Sequence, residues 1–263
     1  MYDTDDVVFF SPGSVLQRSF SILGGELPLF LLLTALVYAP FVAATMLASQ
    51  LDFFQASMAL SFASLAISLI CQPLATATLI HGVFRRLRGE RASLSDSLQV
   101  AFSRILPVLG FSFLSALLCG VGFMLCIIPG IIMTCMLYVG LPVVVVEGKG
   151  PIDAIRRSDG LTSGFRWGIF GLIVVIGLLQ FALNSGFSVL MQQVFSSQMM
   201  NSASDIETMM SGMNTYMIVS QLFSYGIQIL TTALSSVFVT VAYHDLRVSR
   251  DGIDSDDLVS VFD

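Results

Sequence analysis

The sequence predicts an all-α polytopic membrane protein: six transmembrane helices as three hairpins, each preceded by a cytoplasmic interfacial amphipathic helix. Three observations predict it. Apolar residues make up 55% of the 263 residues and charged residues only 11%, where a soluble domain carries about 25% charge. Charge-free runs cover 27–51, 53–84, 105–146, 167–204 and 208–244. Every Lys and Arg falls in a few short segments beside those runs. So few charges cannot cover a water-exposed surface, which excludes a soluble enzyme. The net charge of −6 argues against a nucleic-acid partner.

A membrane-spanning helix takes about 20 apolar residues. The run 105–146 is twice that, and Pro129-Gly130 sits just past its middle. Pro-Gly is turn chemistry, so two helices are expected there. The predicted spans are 27–50, 56–84, 105–127, 130–146, 167–196 and 213–244. Pro142 lies inside the fourth and is expected to kink it. Continuous apolar runs such as Val143-Val144-Val145-Val146 argue for helices, since a barrel strand alternates apolar and polar positions. A helix also satisfies its own backbone amides in lipid.

Six spans place all the basic segments on one side: Arg18; Arg85 to Arg104; Lys149 to Arg166; and Arg247 with Arg250. The opposite loops, 51–55, 128–129 and 197–212, have no Lys or Arg. Excess Lys and Arg marks the cytoplasmic face. The chain is therefore expected in a bacterial cytoplasmic (inner) membrane with both termini inside. Asp3, Asp5 and Asp6 open the chain where a cleavable signal would be basic, so the first span should act as its own signal. The segments 1–10 and 251–263 read as acidic cytoplasmic tails around one transmembrane domain, 11–250.

That domain divides into pseudo-repeats 11–91, 92–150 and 151–250. Pro12-Gly-Ser-Val-Leu16-Gln-Arg18-Ser19 aligns with Pro151-Ile-Asp-Ala-Ile155-Arg-Arg157-Ser158, and Leu94 to Phe102 forms a middle copy without the Pro. Pro starts a helix well, because its missing amide is unneeded in the first turn. Ser93 reads as an N-cap with Asp96 three residues on, a variant of the capping box. Leu94, Leu98, Ala101, Phe102 and Ile105 form an apolar stripe, as an interfacial helix requires. Three units running in the same direction imply an axis along the membrane normal.

Pro129-Gly-Ile-Ile, then Leu141-Pro142-Val-Val-Val-Val-Glu147-Gly148, then Gly150-Pro151-Ile-Asp-Ala-Ile155-Arg156-Arg157-Ser158 and Leu161-Thr162-Ser163-Gly164 form a motif. Arg18-Ser19-Phe20 and the ending Ala242-Tyr243-His244-Asp245-Leu246-Arg247 accompany it. Together they resemble the membrane domain of bacterial glycerophosphoryl diester phosphodiesterases and the stand-alone integral membrane proteins of the YciC type. The resemblance implies structural or motif roles for Pro129, Gly130, Pro142, Glu147, Gly148, Pro151, Ser158, Gly164, Asp245 and Arg247. His244 replaces a family Tyr. The resemblance implies no hydrolytic chemistry for the membrane part, since fused members hydrolyse with a separate soluble barrel.

Catalytic sets are scarce. His81 and His244 lie near cytoplasmic span ends, and Cys71, Cys119, Cys126 and Cys135 lie in apolar runs with no His beside them. A metal site needs about three or four ligands. No catalytic residue, metal or cofactor is therefore expected, and the protein is read as non-enzymatic. The span interiors hold no ionisable carboxylate or base of the kind pumps use. They do hold Gln72, Gln180, Asn184, Gln221 and Gln228, either a polar groove or interhelical hydrogen bonding worth about 0.6–2 kcal/mol per bond. Arg85, Arg86, Arg88, Arg91, Arg156, Arg157 and Arg166 form a basic belt that could meet lipid headgroups. Each gains about 1 kcal/mol near an anionic leaflet. Glu147 is placed to pair with Arg157 or Arg156 across its loop.

The leading expectation is a structural or accessory subunit packing with itself or a partner membrane complex. Small-x-x-x-small spacing such as Gly164 with Gly168 supports it, by letting backbones approach. A phospholipid-binding or lipid-transport protein is the alternative, with anionic phospholipid as ligand. A small-solute channel is a third.

Overall fold

Proline sets the start of the first helix. Pro12 needs no amide partner there, and the Ser11 carbonyl accepts both the Val15 amide at 3.1 Å and the Ser14 hydroxyl at 2.8 Å. From this start α1 runs unbroken over Pro12–Ala48. The structure, a computed structural model, describes residues 11–48, 58, 61–62, 65–88, 94–201 and 206–251, all its elements helical. The predicted interfacial helix of the first unit and the span after it are thus one helix. Val15, Ser19, Leu23, Phe30, Thr34 and Tyr38 explain why: they form one buried stripe at steps of four or seven. Neither the Gly24-Gly25 pair nor Pro28 interrupts that packed face.

The second helix enters through a π-helical turn, Ile67–Cys71. Pro73 can donate no amide, and the Gln72 amide reaches back five positions to the Ile67 carbonyl. Beyond the turn, α2 covers Gln72–Leu87 and is enclosed on most sides by its neighbours. Short α3, Leu94–Ser103, packs on α2. It turns Ser97 and Ala101 inward and leaves Phe102 60% exposed, so the inward face is narrower than the predicted stripe. Arg104 leaves helical geometry and separates α3 from α4, Ile105–Leu125.

The reversal after α4 comes at Cys126, in extended backbone with φ −170° and ψ 159°. The sequence expectation put it at Pro129-Gly130. Those residues instead lie in the first turn of α5, Ile127–Leu137. Proline is at home there because its amide would have no helical partner. Gly130 has another task. A Cβ on it would lie 2.5 Å from the Phe123 ring, so glycine lets α4 and α5 touch. A further break at Tyr138-Val139 leads to α6, Gly140–Pro142, and a second π-helical turn, Val143–Glu147. The fourth predicted span is therefore an interrupted run.

Two glycines close the connections on either side of the next helix. Gly148, at φ +69°, follows the π turn, and Gly164, at φ +85°, follows α7, Pro151–Thr162. Such angles favour a residue without Cβ. Two long helices, α8 (Arg166–Asn201) and α9 (Ile206–Asp251), complete the described chain. The most extensive helix contact joins α1 to α9. The main core gathers Phe30, Leu79, Ile80, Val143, Leu161, Leu172, Phe238 and Tyr243 from six segments.

Among the described residues, five stretches are long and apolar enough to cross a membrane: Pro12–Ala44, Ile105–Leu125, Ile127–Glu147, Arg166–Gln193 and Ile218–Asp251. The outer surface agrees with a hydrocarbon solvent, since Leu106, Met124, Leu125, Trp167 and Phe181 are each more than two-thirds exposed. In water that area would be an aggregation hazard. The second predicted span, 56–84, lies partly outside the described residues, as do loop 51–55, Arg91, Ser93 and the tails 1–10 and 252–263.

Candidate functional site

The helix ends that carry Lys and Arg meet at one end of the bundle. At their centre is Glu147, the last residue of the second π turn, its side chain only 12% exposed. Three groups donate to it. Lys149 Nζ lies 2.7 Å from Oε2, Arg157 Nε 3.2 Å from Oε1, and the Tyr243 hydroxyl 3.0 Å from Oε1. The expected pairing across the loop thus forms, and with Arg157; Arg156 is exposed beside it. Arg157 also holds Asp251, at the end of α9. Asp251 is the largest cause that raises the Arg157 pKa above its ordinary value; burial opposes it and Glu147 adds to it.

A cavity of about 710 Å³ opens beside this centre. Its walls come from α2 (His81, Phe84, Arg85, with Arg88 just beyond), from α3 and Arg104, from the stretch Val145 to Lys149, from Arg157 on α7 and from Arg247 on α9. Its cations are held in place. Arg104 Nη1 donates to the Val144 carbonyl at 3.0 Å, and a Cβ on Gly148 would come within 2.4 Å of that same nitrogen. Glycine at 148 therefore gives Arg104 its seat. Arg85 bonds Asp96 at 2.7 Å, and the Arg88 guanidinium lies 4.8 Å from the Phe84 ring centre. Asp96, expected to serve the start of α3, pairs with Arg85 of α2, and its expected partner Ser93 lies outside the described residues.

Of the predicted belt, Arg85, Arg88 and Arg157 line the cavity. Arg86 pairs with Glu26 at 3.4 Å beside a second cavity of about 320 Å³ that Arg18 also lines. Arg166 pairs with Asp159 at 2.7 Å. Sequence reasoning counted Arg104, Lys149 and Arg247 only toward orientation or motif, and left His81 and Tyr243 out of the site. Their shared one-sided placement was the available signal.

The motif residues mostly serve the frame. Ser158 is buried and donates to the Met136 carbonyl at 2.6 Å, tying α7 to α5. Pro151 packs near Gly110, where a Cβ would lie 3.1 Å away. Pro142 is buried at the entrance to the π turn. Asp245, fully buried, is held by Arg18 at 2.6 Å and lies 3.4 Å from His244 Nδ1. Arg250 donates to the Ser163 carbonyl next to Gly164.

The amides divide. Gln228 Nε2 donates to Gln72 Oε1 at 3.3 Å, joining α9 to α2. Asn184 instead donates to the Gln180 carbonyl of its own helix at 2.8 Å. Gln221 is half-buried one turn and more before Gln228. Among the described residues, no group of three or more His, Cys, Asp or Glu is placed to hold a metal ion.

Apolar helices, a lipid-suited exterior and one cationic end define an integral membrane protein. The chain belongs to a family of unknown function, DUF6159, whose model matches residues 55–253. No curated protein and no solved structure matches the chain.

Proposed function

We propose that this chain is a six-span protein of the bacterial cytoplasmic membrane, with both termini and its basic end inside, that acts without catalysis by gathering anionic phospholipid at that end. One observation supports the reading above others. Every Lys and Arg among the described residues lies on segments that meet around Glu147, Asp245 and the α7 connections. Such one-sided placement orients a membrane protein, and an anionic leaflet attracts each cation by about 1 kcal/mol. The reading keeps the resemblance to the phosphodiesterase membrane domain.

Single-cysteine labelling in intact cells tests the orientation. Residues 88 and 205 should label from opposite sides; labelling from one side would end the proposal. Flotation with phosphatidylglycerol vesicles, against phosphatidylcholine alone, tests the lipid preference.

A partner-binding scaffold is the second reading. Its support is the exposure of α4 and α8, whose most apolar windows are only 17% buried. Isolation from mild detergent as a lone monomer would count against it.

A further inference from the structure

Six cations line the larger cavity: Arg85, Arg88, Arg104, Lys149, Arg157 and Arg247. One carboxylate, Glu147, lines it with them. Asp96 and Asp251 pair with Arg85 and Arg157 from outside the lining. Counting all three acids still leaves an excess of three positive charges on these residues. The volume, about 710 Å³, falls in the ~300–1,000 Å³ range of small-molecule sites.

From this we infer that the cavity is a binding site for a phosphorylated anion, received by Arg88, Arg104, Lys149 and Arg247 around the Glu147–Arg157 pair. The inference deepens the lipid reading above by naming one site and its chemistry. Three features carry it. First, guanidinium groups present flat forks of N–H donors that match phosphate oxygens in pairs. Second, the site is built before the anion comes. Arg104 is fixed by the Val144 carbonyl and the space over Gly148, and Arg157 by Glu147 and Asp251. Preorganised donors lose less entropy on binding. Third, both oxygens of Glu147 are already engaged, Oε1 by Tyr243 and Arg157 and Oε2 by Lys149. Its charge positions cations and does not face the cavity unpaired.

The ligand's phosphate has two available sources, a lipid headgroup or a free phosphate ion. The purified full chain, in a neutral detergent, distinguishes them. Native mass spectrometry would follow retention of phosphatidylglycerol against phosphatidylcholine, and phosphorus NMR would follow binding of inorganic phosphate. Retained phosphatidylglycerol that millimolar phosphate does not displace assigns a lipid; phosphate binding without lipid retention assigns the free ion. Either outcome upholds the site. The variant Arg88→Gln/Lys149→Gln should weaken the bound species at least tenfold. Arg156→Gln/Arg166→Gln removes equal charge outside the cavity and should change it less than twofold. Equal losses in the two variants would overturn the site while leaving a general attraction of the basic end for lipid intact. If the first variant does not fold, the wild-type titrations decide: no retention of phosphatidylglycerol and no phosphate binding overturns the site. A reversed labelling pattern at residues 88 and 205 would remove the orientation instead, without touching the site.

Discussion

Arg18 Nη1 lies 2.6 Å from Asp245 Oδ1 and joins the second turn of α1 to the end of α9 across 227 positions. Asp245 is fully buried, and its other oxygen, Oδ2, has no hydrogen-bond partner among the described residues. The carboxylate therefore depends heavily on one guanidinium. Breaking a buried pair by removing one partner costs about 3–5 kcal/mol, because a charge is left uncompensated. Arg18→Met is expected to destabilise by the lower part of that range, since Arg18 is itself 41% exposed. Adding Asp245→Asn should recover most of the loss. Unfolding in mixed micelles measures both; a silent Arg18→Met would refute the dependence.

Gly148→Ala should act on two structures at once. Its φ of +69° strains any residue with a Cβ, and the added methyl would push Arg104 away from the Val144 carbonyl. Left-handed backbone in a non-glycine residue costs about 1–3 kcal/mol. The melting temperature in detergent should fall accordingly, and anion binding should weaken with it.

Gly140→Ala tests packing alone. Its methyl would sit 2.2 Å from the buried Phe111 ring. Overpacking of this kind costs about 1–3 kcal/mol. Phe111→Leu in the same chain should restore part of that stability by vacating the ring. No recovery would place the strain elsewhere.

At the centre of the site, Tyr243→Phe and Glu147→Ala should differ in size. The first removes one donor from a carboxylate that keeps Arg157 and Lys149, costing about 0.5–1.5 kcal/mol. The second leaves three donors without their acceptor and should cost more, about 1–3 kcal/mol. The reverse order in chemical or thermal unfolding would mean that Glu147 is not the organiser.

Much of this architecture was legible in the chain. Charge-free runs marked where apolar helices lie, and the Glu147–Arg157 pair was readable from a short loop between two recognisable segments. Other features were not. Pro129-Gly130 is good turn chemistry, yet proline also suits a helix start, and nothing in Cys126 announces extended backbone. The first unit's amphipathic lead-in looked separable from its span because pattern changes at residue 20 or so; the continuous buried stripe that fuses them becomes visible only against α9. The cavity was illegible for a similar reason. Its cations come from segments far apart in sequence, and spacing within each segment says nothing about which side chains converge.

The last turns of α9 fasten four separate places: Tyr243 to Glu147, Asp245 to Arg18, Arg250 to the Ser163 carbonyl and Asp251 to Arg157. The ribosome delivers α9 after every one of those segments. Arg18 is therefore made before Asp245, and Arg157, with Glu147 already beside it, before Asp251. The four contacts that α9 makes at the cationic end can therefore form only after its last turns have been made.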